Sequence, residues 1–482
     1  MTKHTSWAIA LTATTFLSAP AIAASLTPTL EENSVFSYSE GSENDYNFTL
    51  QEPDADGKLT TKYYKIDLKP EAFSTSKNVS WTAVGEDQKD ATDVVSVQLP
   101  NNQTKYFKYT YTQPEGRTVY NTRQDALSGD VDADFVGSRY ESSASPILYG
   151  GAVSNSGNID SLSGNFIKNS INNTYKYGGA YGAAIDNQGT IGKISGDFIG
   201  NYLTNPTAAY GSAISNRNKI GEISGNFIGN YYDHADATAW GTVIWNDGTI
   251  ERMSANFIGN YAEVSNAYSI VYNRGTIGSV SGNFIGNRLE TTGMARGGAV
   301  FSYYDAVITD MNANFIGNSV KGELANGGAI YSSMNSRIDQ VTGDLIANYA
   351  EGTTAEEYAL GGAVHANADM TFASGAETHF ISDNYTHDGA RGKIYNAFFM
   401  ERFQRPAEIN LTLDTTGGGT WVINDAIEGG HYDSRFGMNY DYRYKLLLSG
   451  DGSGTIWINN DIVNAEKVTV DNTTLRFGAY QH

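Results

Sequence analysis

Short apolar stretches alternate with glycine, asparagine and small polar residues along most of the chain. Each stretch is only a few residues long, and none shows the 3.6-residue period of an amphipathic helix. β-prone pieces of this length, bounded by turn-forming residues, are typical of short strands. The pattern predicts an all-β structure of many short strands.

A Phe-x-x-Asn tetrapeptide marks a repeat. It begins at Phe166, Phe198, Phe227, Phe257, Phe284 and Phe315, with degenerate copies at Phe135, Leu345 and Phe380. A Gly-Gly-Ala-Val/Ile element lies between copies at Gly150, Gly297, Gly327 and Gly361. Successive tetrapeptides are 27 to 35 residues apart. A unit this small buries its apolar face only against neighbouring units. We therefore expect a right-handed parallel β-helix, a solenoid of about nine coils with three strands per coil.

Stacked coils place equivalent residues in ladders about 4.8 Å apart. The asparagine of the tetrapeptide forms one expected ladder: Asn169, Asn201, Asn230, Asn260, Asn287, Asn318 and Asn348. A second expected ladder consists of Asn155, Asn187, Asn216, Asn246 and Asn273. Side-chain amides donate and accept, so both ladders are predicted to satisfy buried turn groups.

Two details of the repeat lead to local predictions. One turn position holds only glycine or asparagine, which favours a positive φ: Gly157, Gly189, Asn218, Gly248 and Gly275. Strict strand alternation cannot place both Phe227 and Ile228 inside. We expect the phenylalanines inside, with either a bend at this pair or the isoleucine facing outward.

The repeat divides the chain into four segments. Residues 1–23 resemble a signal peptide, with an apolar run from Trp7 to Leu17 before Ala21-Ile22-Ala23. Residues 24–126 lack the repeat and are predicted to form an N-terminal β-rich cap over the open coil end, or else a separate binding domain. Residues 127–400 are predicted to form the β-helix. Residues 401–482 are predicted to form further C-terminal coils, and Phe398, Phe399 and Met400 are expected in the core at this junction.

Composition limits the chemistry. The 482 residues carry 53 acids, 32 Lys plus Arg and no cysteine, for a formal charge of −21. This charge disfavours nucleic acid as a partner, and the lack of cysteine excludes disulfides and thiolate chemistry. We predict an exported protein without a cofactor.

Candidate ionisable sites are few. Asp130, Asp132, Asp134 and Glu141 have calcium-loop spacing, but Phe135 replaces the required glycine, so we expect acids on an outer face. His365, His379 and His387 lack a tight metal-binding spacing, and we expect exposed or packing side chains. Asp197 and Asp344 share a repeat position that asparagine otherwise fills. No pair of acids for acid–base catalysis is predicted, and no catalytic or metal residue is assigned.

Variable segments follow each tetrapeptide and are expected to form loops along one edge. Tyr202, Tyr231, Tyr261 and Tyr349 directly follow a ladder asparagine, and Tyr232 lies beside them. Tyrosine offers rigid apolar area with a hydroxyl, so this edge is a candidate interaction surface. The alternative is that these residues merely cover the coil edge.

The alternation of Phe-x-x-Asn with Gly-Gly-Ala-Val/Ile over roughly residues 127–390 resembles the chlamydial polymorphic membrane proteins of the autotransporter family. The echo of Gly417–Asp425 in Gly452–Asn460, and the closing segment 468–478, also look like an autotransporter passenger end. The resemblance implies a passenger on the bacterial cell surface that adheres to a host-cell or surface ligand. It also implies an outer-membrane β-barrel translocator, which we expect in cis beyond this sequence or on another chain.

The expected function is therefore adhesion or surface display without catalysis. The alternative is a secreted polysaccharide lyase or hydrolase on the same scaffold, because parallel β-helices also carry such enzymes.

Overall fold

The computed structural model describes residues 35–53, 59–101, 103–354, 358–401, 408–433, 437–439 and 441–478. The predicted signal peptide lies outside these residues. Two short 3-10 helices, Pro70–Ala72 and Glu86–Gln88, are the helices of the described part, and all its other regular elements are strands. Neither helix is long and apolar enough to cross a membrane.

From residue 118 onward the strands form three long sheets, which run along a solenoid of about ten coils. Sheet A comprises Thr118–Tyr120, Gly129–Val136, Asn158–Ser163, Phe166–Ile167, Thr190–Ser195, Phe198–Ile199, Lys219–Ile228, Thr249–Ile258, Thr276–Ile285, Val307–Ile316, Arg337–Thr342, Leu345–Ile346, Met370–Ala373, Thr378–Ser382, Asn410–Asp414, Thr420–Ile423, Tyr444–Ser449, Thr455–Ile458, Ala465–Asp471 and Thr474–Phe477. Sheet B comprises Arg139–Ser142, Ile147–Tyr149, Ser170–Asn173, Gly179–Tyr181, Tyr202–Thr204, Ala208–Tyr210, Tyr231–Trp240, Tyr261–Tyr268, Arg288–Thr291, Met294–Arg296, Ser319–Gly322, Leu324–Asn326, Tyr349–Gly352, Tyr385–Asp388 and Gly392–Ile394. Sheet C comprises Val153–Asn155, Ile185–Asn187, Ile214–Asn216, Ile244–Asn246, Val271–Asn273, Val300–Ser302, Ile330–Ser332, Val364–Ala366, Asn396–Glu401, Ala426–Asp433, Gly437–Asn439 and Ile462–Val463.

Neighbouring coils pair in parallel and in register with the repeat. Phe227 pairs with Phe257, and Phe257 pairs with Phe284. Their rings stack at centroid distances of 4.8 and 4.6 Å and are fully buried. The prediction of an all-β parallel β-helix is confirmed, and the repeat period is the length of one coil.

The phenylalanine of the tetrapeptide points into the solenoid core and its isoleucine points outward. This is the second of the two arrangements expected from the sequence. The third residue has a left-handed backbone, with φ of 59° at Gly229, which turns the chain so that the following asparagine points inward. Lys168 and Ala347 adopt the same conformation in their copies. In the degenerate last copy, Ile381 pairs with Leu345, so Ile381 and not Phe380 takes the core position.

Both asparagine ladders form. Asn230 donates from Nδ2 to Oδ1 of Asn260 at 3.0 Å and to the carbonyl of Phe198 at 2.9 Å. Its Oδ1 accepts from the backbone and side-chain amides of Asn201 at 3.0 and 2.9 Å. The second ladder runs in the same way, with Asn187 donating to Asn216 at 2.8 Å. The ladders therefore satisfy buried backbone groups at two corners of each coil.

Glycine is favoured at this turn position for a different reason from the predicted one. None of Gly157, Gly189, Asn218, Gly248 and Gly275 has a positive φ. A Cβ atom on Gly248 would lie 2.0 Å from the carbonyl oxygen of Asn218, and one on Gly275 equally close to that of Gly248. At Gly189, Gly248 and Gly275 the backbone of the preceding coil leaves no room for a side chain, although Asn218 shows that one coil accommodates it.

Residues 35–112, here called the N-terminal module, form two antiparallel three-stranded sheets with the same order, first–third–second. The strands of one are Phe36–Glu40, Phe48–Pro53 and Leu59–Leu68; those of the other are Val79–Val84, Val94–Leu99 and Gln103–Tyr111. The segments Thr61–Lys65 and Thr104–Lys108, which are similar in sequence (TKYYK and TKYFK), lie on the two central strands.

The module lies along the flank of the solenoid. It does not lie across the first coil, which is where a cap over the open coil end is expected. Its buried face contacts the outward isoleucines of the tetrapeptides, here called the isoleucine stripe. The stripe consists of Ile167, Ile199, Ile228, Ile258, Ile285, Ile316 and Ile346. An uncovered row of aliphatic side chains would be a large exposed apolar patch, so burial of this row drives the docking.

Acidic side chains along the stripe accept hydrogen bonds from the module. Asp197 accepts from the hydroxyls of Ser74 and Thr75 at 2.5 and 3.0 Å, and Asp134 from Tyr111 at 2.9 Å. Most other coils have asparagine at the position of Asp197, and those asparagines form a third ladder, with Asn256 donating to Asn226 at 2.8 Å. Asp344, also at that position, accepts from Tyr38 at 3.3 Å. The aspartates at this position all bond to the module, and Asn165 also does so, donating to the Ser76 hydroxyl at 3.1 Å.

The C-terminal coils continue the same sheets. The two glycine-rich echoes stack directly, with Trp421 paired to Ile456 and Ile423 to Ile458. Phe398, Phe399 and Met400 are fully buried. Phe398 and Met400 pack in the solenoid core, as expected, whereas Phe399 packs beside His365 on the outer face of sheet C. The segment 465–477 forms the last described coil.

We predict that Asn230→Ala lowers the free energy of unfolding by about 3 kcal/mol, because it removes a partner from two buried backbone groups, the carbonyl of Phe198 and the amide of Asn201, and from two ladder side chains. Asn256→Ala is the matched control in the third ladder, where Asn256 is only partly buried and its amide bonds to the side chains of Asn226 and Asn283, and its cost should stay below about 1 kcal/mol. Urea denaturation followed by circular dichroism measures both. Equal losses of unfolding free energy in the two variants would show that burial of the ladder is not the source of its stabilising effect.

We also predict that Ile258→Asp releases the module without unfolding the coils, since a charge on the stripe cannot be buried unpaired. Hydrogen exchange should accelerate in Val94–Leu99, which passes over Gly259, and remain slow in Thr276–Ile285. Ile258→Val, with an expected cost of about 1 kcal/mol, should keep both segments protected. If hydrogen exchange accelerates in both segments of the aspartate variant, the module does not dock independently of the folding of the coils.

Candidate functional site

The predicted tyrosine edge lies on a sheet and not on loops. The variable segments that follow each tetrapeptide form the strands of sheet B, which reach ten residues in Tyr231–Trp240. Tyr202, Tyr231, Tyr261 and Tyr349 all occupy the first position of their strands and share one ladder. Each is half-buried. Because a sheet holds them, their positions are fixed by backbone pairing.

Three of these tyrosines form a continuous stack, here called the tyrosine row. The ring of Tyr231 lies 5.1 Å from those of Tyr202 and Tyr261, with interplanar angles of 6° and 4°. The guanidinium of Arg288 closes the row, 4.8 Å from the ring centre of Tyr261. Burial, with the neighbouring Tyr202 and Asp233, raises the pKa of Tyr231 to about 12, so its hydroxyl remains protonated at neutral pH.

Tyr232 does not belong to this surface. Its side chain is fully buried, and its hydroxyl donates to the carbonyl of Pro206. Alternation along the strand causes this, because Tyr231 points outward and its neighbour therefore points inward. The prediction that Tyr232 contributes to the interaction edge is wrong.

Tyr349 is separated from the row by Arg288 and Ser319 in the ladder. It stacks instead on Tyr385, with ring centres 5.1 Å apart and planes 3° from parallel. Both rings line a cleft of about 320 Å³ between the N-terminal module and sheet B. The same ladder position therefore contributes to two surfaces, an open row and a cleft.

The other tyrosines of the cleft are not among the residues predicted from the sequence. Tyr385 follows Asn384, which extends the first ladder, so the rule that selected Tyr349 also applies to it. Tyr46, Tyr63 and Tyr395 come from distant segments. Their convergence depends on the docking of the module, for which the sequence has no periodic signal.

An acidic row runs beside the tyrosine row, two residues further along the same strands. Asp233 pairs with Glu263, and Glu263 pairs with Glu290. Arg288 forms ion pairs with both glutamates, at 2.8 and 3.5 Å. This face therefore favours ligands without strong negative charge.

The calcium-like segment does not form an ion site. Asp130 and Asp132 are exposed and accept hydrogen bonds from Ser161 and Ser163, as expected for an outer face. Asp134 departs from this expectation, because it is buried and pairs with Arg117 at 3.0 Å. Among the described residues, no group of three or more histidines and acids could hold a metal ion.

The three histidines lie apart. His379 packs on Trp421 with ring centres 5.3 Å apart, and His387 is exposed. His365 is fully buried on the outer face of sheet C, where its Nε2 lies 2.8 Å from Glu401. Nδ1 of His431 lies 2.9 Å from the other oxygen of the same carboxylate. One buried glutamate thus links three successive strands of the sheet.

The chain as a whole matches no family model, no curated protein and no solved structure.

We predict a pH-dependent contribution of Glu401 to stability. Burial raises its pKa, but the hydrogen bonds from His365 and His431 outweigh burial and hold the pKa at about 2, below the ordinary 4.5. A depressed carboxyl pKa stabilises the fold above the unfolded value, and this stabilisation is lost as the pH falls from about 4.5 toward 2. Its size is on the order of 3 kcal/mol.

Denaturation curves of the wild type and Glu401→Gln between pH 2 and pH 7 measure this contribution. The variant should be less stable near pH 7, and the difference should shrink toward pH 2. A difference independent of pH would assign the loss to packing and not to the charge.

Proposed function

We propose that this protein is an exported, autotransporter-type β-helical passenger that acts in adhesion at the bacterial cell surface, without catalysis. The observation that carries the proposal is the tyrosine row. Its three rings lie half-buried on a rigid sheet and point away from the core. Fixed aromatic side chains bind with little loss of conformational entropy, which makes them effective contact residues.

The repeat supports the same proposal. Its two alternating motifs resemble those of the chlamydial polymorphic membrane proteins, and the last coils resemble the end of an autotransporter passenger. A chain without cysteine is also suited to crossing membranes unfolded, because no disulfide has to form or break. The partners of this proposal are a host-cell or surface ligand and an outer-membrane translocator.

The charge distribution favours one kind of ligand. The acidic row beside the tyrosines and the overall charge of −21 repel polyanions. A protein surface with basic groups, or an uncharged glycan, matches this face better. Adhesion to a basic protein surface should therefore weaken as salt screens the acidic row, whereas binding of an uncharged glycan should not.

We predict that replacing Tyr202, Tyr231 and Tyr261 together by alanine reduces attachment of the purified chain to cultured host cells at least tenfold. Each ring contributes about 1 kcal/mol beyond its area, so loss of three exceeds the 1.4 kcal/mol that a tenfold change requires. Replacing the same residues by phenylalanine is the matched control and should retain most of the attachment. Thermal melts establish that both variants remain folded.

Unchanged attachment of the folded alanine variant would remove the tyrosine row from consideration. The competing function, a polysaccharide lyase or hydrolase, is tested on the same preparation with acidic and neutral polysaccharides. Turnover that a single substitution abolishes would replace the adhesin proposal by an enzymatic one.

A further inference from the structure

The cleft beside Tyr349 combines side chains from four separate parts of the chain. The module provides Tyr46 and Tyr63 from its first part and Gln98 from its second. Tyr349 and Tyr385 begin two strands of sheet B, and Lys393 and Tyr395 lie on and just after the last strand of that sheet. Its volume of about 320 Å³ is at the lower end of the range for small-molecule sites, about 300 to 1,000 Å³. The cleft is therefore large enough for a small ligand and exists only when the module is docked.

Tyrosine dominates the lining, with five of the seventeen residues. Tyr46 and Tyr63 meet edge to face at 5.1 Å, and Tyr395 lies 6.2 Å from Tyr385. Each ring presents flat apolar carbon surface next to a hydroxyl. Burial raises the pKa of Tyr349 and of Tyr385, so both hydroxyls stay protonated and able to donate.

Amides and hydroxyls occupy the spaces between the rings. Nε2 of Gln98 donates to the Tyr349 hydroxyl at 3.4 Å, and Nε2 of Gln51 donates to the Thr61 hydroxyl at 2.7 Å. Side-chain amides both donate and accept. The lining therefore alternates apolar ring surface with groups of both hydrogen-bonding types.

Charge and shape narrow the ligand class. Asp383 accepts from the backbone amide and hydroxyl of Thr49, so its charge is already hydrogen-bonded. The Lys393 ammonium lies 4.1 Å from the ring centre of Tyr385 and 4.5 Å from that of Tyr395. One cation beside one acid, in a chain of charge −21, does not suit a polyphosphate. Of the described lining residues, Leu99, Pro100 and Ala347 are the aliphatic ones, too few for a lipid chain.

We propose that this cleft binds an oligosaccharide, whose alternating C–H faces and hydroxyl groups complement the tyrosine rings and amides. The proposal rests on the proposed function and deepens it, because it assigns a ligand class to the Tyr349 end of the predicted interaction edge. Tyr63 from the module and Tyr395 from the end of sheet B are the proposed principal contacts. Lys393 selects between neutral sugars and sugars that carry a carboxylate.

The test is direct binding of the purified full chain to chitotetraose, maltotetraose, 3′-sialyllactose and tetragalacturonic acid, measured by isothermal titration calorimetry. We expect at least one to bind with a Kd below about 1 mM. Tyr63→Ala and Tyr395→Ala should each weaken that binding about tenfold, with unchanged melting temperature. The matched control is Tyr177→Ala, which removes a tyrosine that is 75% exposed and lies outside the cleft; it should bind like the wild type.

Several outcomes would overturn the proposal: no binding of any of the four sugars, or binding that survives both cleft substitutions. If Lys393→Met abolishes binding of the acidic sugars only, this result would support the proposal and identify the sugar type. The variant without Tyr202, Tyr231 and Tyr261 should bind the sugar normally. The two proposals can therefore fail separately. Cell attachment tests the tyrosine row, and sugar binding tests the cleft.

Discussion

The structure depends on one constraint, the need of each buried turn to find its hydrogen-bond partners in the neighbouring coils. Asn230 meets this need by bonding to both neighbouring coils through one side chain. Because every rung requires the rung before and after it, the tetrapeptide asparagine cannot vary independently of the scaffold. Asp425 takes the last described rung, accepting from the side chain of Asn384 at 2.8 Å, and burial raises the pKa of its carboxyl. The ladder therefore ends on a carboxyl whose charged form is disfavoured by burial and by the nearby Asp383.

The same turn creates the surface on which the module docks. The left-handed residue before each ladder asparagine rotates the preceding isoleucine outward, so seven coils present aliphatic side chains on one flank. Exposed to water, such a stripe would form a large apolar patch. The module covers it, and Asp134 and Asp197 fix its position through directional hydrogen bonds. The repeat geometry thus requires a covering element, whereas the acidic residues determine where that element sits.

Periodic features were predictable from the sequence, and features that join distant segments were not. Both asparagine ladders and the inward phenylalanines follow from identical residues at identical spacing. Gly248 was assigned to the wrong cause because a close approach between coils and a positive φ both favour glycine. Tyr232 was misplaced because the direction of a side chain requires the strand register, which a variable segment does not reveal. The position of the module and the cleft depend on packing between non-repeating parts, for which no period exists.

The tyrosine ladder shows how this scaffold separates stability from recognition. Its outward position changes from Tyr261 to Arg288 to Ser319 to Tyr349 along successive strands, while the inward neighbours stay buried and the backbone pairing is unchanged. Substitution at an outward rung alters the surface without disturbing the core. Arg288 and Ser319 interrupt the aromatic series, and beyond them the covering module converts the ladder from an open row into a cleft. One structural position therefore provides two surfaces, which can take different ligands because only one of them includes side chains of the module.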